Sequence, residues 1–153
     1  MGLDARGYSR GLGILWDPTR VSSEGLQGTR YYLSVGFKVE GFPIPRGVTN
    51  VYGPHNAGKM RDFHQSLKIL REGMANVHWV VGGYFNLMTS LEEHKGGMCR
   101  MEEECETFIE TIEELGLVDI IPREGWFTSN NKRTGDRHIT SILDCFVVTK
   151  SII

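Results

Sequence analysis

The chain changes its hydrophobic period several times, and each change limits what it can fold into. In Tyr31 to Val39 (YYLSVGFKV) the period is two. Tyr31, Leu33, Val35, Phe37 and Val39 fall on one face, and Tyr32, Ser34, Gly36 and Lys38 on the other, which predicts a strand. In AGKMRDFHQSLKILREGM the period lengthens. Met60, Phe63, Leu67, Leu70 and Met74 recur at three- and four-residue steps, the pattern of an amphipathic helix that ends near Gly73. His64 is expected on the exposed side of that helix. A second helix is predicted over Glu102 to Leu115. Its stripe is Cys105, Phe108, Ile109, Ile112 and Leu115. The acids Glu102, Glu103 and Glu104 suit its start through the helix dipole, and Gly116 is a natural stop.

Short strands are predicted at Gly11 to Trp16, Val48 to Tyr52, Leu117 to Ile120, Trp126 to Thr128 and Leu143 to Val148. A further apolar run, HWVV, meets a double glycine at Gly82-Gly83, where a strand is expected to stop. Helices set between strands indicate a mixed α/β domain. Pattern alone leaves open whether two sheets pack together or one twisted sheet forms.

The length of 153 residues suits one domain. A domain of that size buries roughly two thirds of the surface its unfolded chain exposes. Seventeen basic and 19 acidic residues give a net charge of −2. No global field therefore calls for nucleic acid or an anionic membrane. Three cysteines without a disulfide framework suggest a reducing compartment. His94, Cys99 and Cys105 lie close together, but no CxxC or HxxxH pair accompanies them, so no zinc site is expected. Cys105 is expected on a buried helix face and Cys99 in a loop. The N-terminus has no apolar core and so is no secretory signal, and no apolar run approaches the roughly 18 residues of a membrane span. An intracellular protein is expected. The first residues and the closing FVVTKSII both read as the interior of something longer.

Candidate chemistry is sparse. GPHNAGKM, from Gly53 to Met60, approaches the phosphate loop GxxxxGK(S/T) and sits between a strand and a helix. Met60 replaces the hydroxyl that would ligate magnesium, and Pro54 removes a backbone donor. A Gly-Pro turn before a helix start accounts for the same residues better than a nucleotide site does. Nothing resembles a GxSxG elbow. The histidines show no spacing that argues for a site. A distributed constellation is stronger. VTNVYGPHN supplies Asn50, Tyr52 and Asn56, WVVGGYFN supplies Tyr84 and Asn86, and SILDCFVV supplies Asp144. A lone acid inside an apolar strand is costly to bury, which marks Asp144 as a site candidate.

Six blocks give the chain a family likeness. GYSRGLGILWD is similar to a GRSGG-type strand, NVYGPHN to NVYGP, and WVVGGYFNLM to WVVGGDFNLI. SLEEHKGG resembles EKRGG, GLVDIIPREGWFTSNNKRTGD resembles the stretch around G-x-FTW-N-x-R, and SILDCFVVT resembles SRLDRFLVS. In this order they resemble the endonuclease/exonuclease/phosphatase superfamily, and most closely the endonuclease domain of plant LINE-type (non-LTR) retrotransposons. The resemblance spans nearly the whole chain. It implies a four-layer α/β sandwich of two packed mixed sheets flanked by helices, and magnesium-dependent phosphodiester hydrolysis with DNA as substrate. Carried over by position, Tyr52 matches the tyrosine that approaches the scissile phosphate. Asn86 matches the asparagine that orients phosphate and water. Asp144 matches the late-strand aspartate that supports the catalytic network.

The departures are as informative. Tyr84 stands where the GDFN motif has its catalytic aspartate, and a phenol with a pKa of about 10 is no carboxylate base. Ile142 and Cys145 replace two arginines, and Ser129 replaces a tryptophan. The metal-binding glutamate of the family lies upstream of the first block, and its closing Ser-Asp-His lies beyond the last. The expectation is a partial domain over residues 1–153, truncated at both ends, that binds no Mg²⁺ and is catalytically inactive. Two alternatives stand beside it. One is a rearranged nuclease using Asp144, Glu92 or Glu93. The other is a non-catalytic remnant that binds nucleic acid or phosphate through Tyr52, Tyr84, Phe85 and Trp126. No oligomer is implied.

Overall fold

The computed structural model describes residues 2–3, 11–86, 94–95, 103–120, 129–130, 140–141 and 144–153. A six-stranded mixed sheet organises them. In spatial order it runs β3 (Ser22–Gly28), β4 (Tyr32–Lys38), β5 (Arg46–Tyr52), β6 (His78–Tyr84), β11 (Asp144–Thr149) and β8 (Leu117–Asp119). Only β5 and β6 run parallel; every other neighbouring pair in this sheet is antiparallel. A parallel pair needs a long crossover, and helix α1 (Ala57–Glu72) supplies it. Helix α2 (Glu103–Glu114) precedes β8. Short strands complete the described residues. β1 (Gly2–Leu3) pairs with β2 (Leu12–Gly13), while β7 (His94–Lys95) and β9 (Ser129–Asn130) flank β10 (Thr140–Ser141). The α/β class expected from the alternating periods is the class observed: a six-stranded mixed sheet flanked by two helices. Among the described residues no helix is long and apolar enough to cross a membrane.

Both faces of the sheet are buried, by different parts of the chain. On one face Val51, Trp79, Val81 and Val147 meet Met60, Phe63, Leu67 and Leu70 of α1, Phe108 and Ile112 of α2, and Leu115 just beyond it. These belong to the two helical stripes read from the sequence; Ile109 of the second stripe is only partly buried and stands outside the cluster. On the other face Leu33, Val35, Phe37 and Val48 meet Leu12, Ile14, Trp16 and Val21. The alternation in β4 is therefore real, but its polar side is also buried. Ser34 and Thr49 share a 2.8 Å hydrogen bond beneath the helices, and Trp79 Nε1 donates to Thr49 Oγ1 at 2.8 Å. Tyr31 leaves the alternation. It precedes the strand and packs edge-on against Phe63 on the helix side.

Two expectations are corrected here, and one strand was not expected. GLGILW forms a ladder only over Leu12–Gly13. Leu12, Ile14 and Trp16 still pack inward, but Leu15 is 96% exposed, so the segment is extended without being a buried strand. The strand β3 (SSEGLQG) shows no apolar alternation, because all seven of its residues are exposed at the sheet edge. Its register shifts at Gly25, which has φ +68°. Finally, His64 is buried at 4% exposure. It flanks the α1 stripe on the side where α2 docks, and its ring stacks on Phe108 at 5.7 Å and 23°.

Neither ring nitrogen of His64 has a partner among the described residues. Burial first, and then the ammonium of Lys68, lower its pKa from 6.5 to about 4. The folded state thus binds this proton less readily than the unfolded state. The stability it contributes is present above the unfolded value and is lost as pH falls from about 6.5 toward about 4. We expect a loss of roughly 2 kcal/mol across that window. In His64→Phe that part of the pH dependence should vanish. Denaturant unfolding of both chains across the window checks this, and parallel pH profiles would contradict it.

Candidate functional site

The double glycine does not end the strand. β6 runs through Gly82 and Gly83 to Tyr84, paired on both flanks. The glycines are there for close approach. A Cβ at Gly82 would overlap the Phe146 ring. At Gly83, where φ is +131°, it would overlap the Val51 carbonyl of β5. With no side chains in the way, β6 stays in register with both neighbours to its last residue.

That register assembles the candidate site. Tyr84 sits opposite Tyr52 on β5 and opposite Asp144 on β11, so three residues far apart in sequence form one row across the sheet. The Tyr52 and Tyr84 rings stack at 5.4 Å with 23° between planes. His55, in the loop after β5, turns its ring edge to Tyr84 at 6.2 Å and 68°. Both tyrosines are half-buried, while His55 and Asp144 are exposed. Asp144 is the first residue of β11 rather than a lone acid inside an apolar strand. It is exposed, so no desolvation cost marks it out; its place in the row makes it a candidate. Burial, then Tyr52 and then Asp144, raise the Tyr84 hydroxyl above its ordinary pKa of 10. Tyr84 is a neutral phenol at physiological pH.

The loops that follow β5 and β6 are clasped together. Asn86 takes a left-handed backbone (φ 60°), a conformation that asparagine tolerates better than most residues. Its side-chain amide donates to the Gly53 carbonyl, and the Gly53 N–H donates to the Tyr84 carbonyl at 2.6 Å. The Asn86 amide is thus committed to the neighbouring loop. Asn50 lies on the same face as the row and donates to the Gly13 carbonyl at 3.0 Å. Asn56 is not part of the row; its side chain caps α1 by accepting from Lys59 N–H at 3.3 Å. Phe85 points to the opposite face, fully buried against Phe63 and Phe108, so it offers no ring to a ligand. Glu92, Glu93, Cys99, Trp126, His138 and Ile142 lie outside the described residues. Of His94, Cys105 and Ser129 only the backbone is described. Sequence reasoning set His55 aside with the other histidines. Its one available signal was that it follows Tyr52 by three residues across a Gly-Pro turn.

The GPHNAGKM segment is a capped helix start. Gly53 N–H donates to Tyr84, and Lys59 and Met60 N–H donate to the Asn56 carbonyl. Met60 is core, at 4% exposure. A phosphate cradle needs such donors turned outward; here they turn inward. Among the described residues no group of three His, Cys, Asp or Glu side chains is placed to hold a metal ion. The row itself offers one carboxylate beside a phenol. Magnesium favours octahedral oxygen ligands with carboxylates among them, and the described residues do not fit it.

No protein-family model matches the chain, and no curated protein does. Among solved structures, the chain is similar to the endonuclease domain of TRAS1, a telomere-specific non-LTR retrotransposon, at 16% identity and a TM-score of 0.72 over 99% of this chain and 66% of that one. It is similar to the TDP2 of D. rerio complexed with a single-strand DNA product, at 11% identity and a TM-score of 0.55 over 99% and 63%. It is also similar to an endonuclease/exonuclease/phosphatase family protein from Bacteroides thetaiotaomicron, at 12% identity and a TM-score of 0.50 over 78% and 42%. The chain thus spans less than two thirds of each of these structures. The likeness is one of fold, and it is the fold that the six sequence blocks implied.

The clasp makes a sharp steric prediction. A Cβ at Gly53 would overlap the Phe85 backbone carbonyl, which cannot swing away as a side chain can. Gly53→Ala should destabilise the protein by about 1–3 kcal/mol. Chemical denaturation checks this, and an unchanged midpoint would contradict the clasp.

Proposed function

We propose that the chain is a domain of the endonuclease/exonuclease/phosphatase family, of the kind carried by non-LTR retrotransposons, whose Tyr52–Tyr84–Asp144 row still faces nucleic acid but no longer hydrolyses it. The observation that carries this reading is Tyr84 at the centre of the row, in the position the GDFN motif gives to an aspartate. The collinear blocks and the shared fold support the family. A neutral phenol supports the loss of chemistry. It takes no proton from water near neutral pH, and the loss of positioned general-base help alone costs about 10²–10⁴-fold in rate. The metal contribution is absent as well on this reading, because among the described residues the row brings a single carboxylate, Asp144, too few to hold and orient a magnesium ion for phosphoryl chemistry.

On this reading Tyr52, Asn86 and Asp144 are remnants of a catalytic arrangement. Asn86 now serves as a clasp, and residues 1–153 represent part of such a domain. DNA is the proposed partner, since the TRAS1 domain is an endonuclease and the TDP2 structure holds a DNA product. A supercoiled-plasmid nicking assay with Mg²⁺ tests the proposal. The 153-residue chain should leave the plasmid intact. Magnesium-dependent nicking that Asp144→Asn abolishes would contradict it.

A further inference from the structure

We propose that the Tyr52–Tyr84 pair is a stacking platform for an unpaired nucleobase, so that this face of the sheet takes single-stranded rather than duplex nucleic acid. The proposal rests on the nucleic-acid reading above and names the form of strand that reading leaves open. Its warrant is the geometry that arises once an aromatic ring stands where the motif has a carboxylate. The two rings lie nearly parallel, 5.4 Å apart at 23°, on neighbouring strands of one sheet. Both are half-buried, and their backbones are held in place. Tyr52 N–H donates to the Tyr31 carbonyl at 2.8 Å, and Tyr84 is paired on both flanks and tied to Gly53. A platform already fixed in place loses little side-chain freedom when a ligand arrives.

Among the described residues no second ring lies against the outer face of Tyr52. Tyr84 covers Tyr52 from the β6 side, so the outer face of Tyr52 looks toward β4. At that level β4 contributes no ring, because Tyr31 packs against Phe63 on the opposite face of the sheet. The backbone that passes there, bonded to Asn50, is Gly13, where a Cβ would meet nothing within 4 Å. A flat ligand entering beside Gly13 completes a three-ring stack. Every nucleobase presents such a π face, so stacking of this kind tolerates sequence. In a duplex each base face is covered by its neighbours, and only edges would reach the tyrosines.

Lys59 lies exposed in the first turn of α1, a turn that carries no acid. The net charge of −2 leaves little general attraction for a polyanion, so stacking has to supply most of the discrimination.

Fluorescence anisotropy at low salt without metal tests the platform. The probes are a labelled single strand of mixed sequence, the same backbone with abasic sites throughout, and the corresponding duplex. The base-bearing single strand should bind about tenfold or more tighter than the abasic strand and the duplex. Tyr52→Ala and Tyr84→Ala should each lose about tenfold, while Tyr84→Phe keeps full affinity, since the ring and not the hydroxyl is used. Equal binding of base-bearing and abasic strands, or of single strand and duplex, would overturn the platform and leave the nucleic-acid reading standing. Failure to bind any of the three would overturn both. Should an alanine variant unfold by circular dichroism, the three-probe comparison on the unaltered chain and Tyr84→Phe still decides the matter.

Discussion

The parallel register of β5 and β6 is the constraint on which the rest of the structure depends. It runs unbroken from Arg46 opposite His78 to Tyr52 opposite Tyr84. Parallel pairing obliges the chain to cross over, and the crossover is α1, whose apolar stripe then covers Val51, Trp79 and Val81. Trp79 locks the register from below. Its indole N–H reaches Thr49 on β5, and its backbone N–H reaches the Thr149 hydroxyl on β11 at 3.2 Å. Above it, Gly82 and Gly83 keep the strand free of side chains that would push its neighbours apart. A slip of one residue would move every side chain of β6 to the opposite face. Trp79 would leave the core and Tyr84 would leave the row.

A site built from backbone register does not depend on what its side chains can do. Tyr52, Tyr84 and Asp144 are adjacent because their strands are. The Tyr84 ring stacks on Tyr52, and burial raises its hydroxyl further above its ordinary range. Asn86 and Gly53 hold the two loops together by hydrogen bonds that need neither metal nor substrate. The register of the strands thus positions a pair of aromatic rings.

The helices were legible in the sequence because each carries one apolar stripe and one obligation, to cover one face of a sheet. The strands were less so. β3 has no buried face, so no pattern marks it. The polar side of β4 is buried because Ser34 and Thr49 satisfy each other, a pairing no single-strand period reveals. His64 read as exposed because α1 alone does not show where α2 will dock. At the site, the motif resemblance picked out Tyr52, Tyr84, Asn86 and Asp144. Their relations came only from register: which of them share a row, that Asn86 turns to Gly53, and that His55 joins while Phe85 turns to the core. The Gly-Gly before Tyr84 read as a strand end, since glycine usually interrupts strands; close approach of Phe146 and Val51 is the competing reason, and it lies in other parts of the chain.

On the proposed reading the row keeps its geometry but carries too little charge to hold a metal. Calorimetric titration of the folded 153-residue chain with Mg²⁺, and then with Mn²⁺, should therefore show no saturable heat up to millimolar metal. Stoichiometric one-site binding that disappears in Asp144→Asn would contradict it.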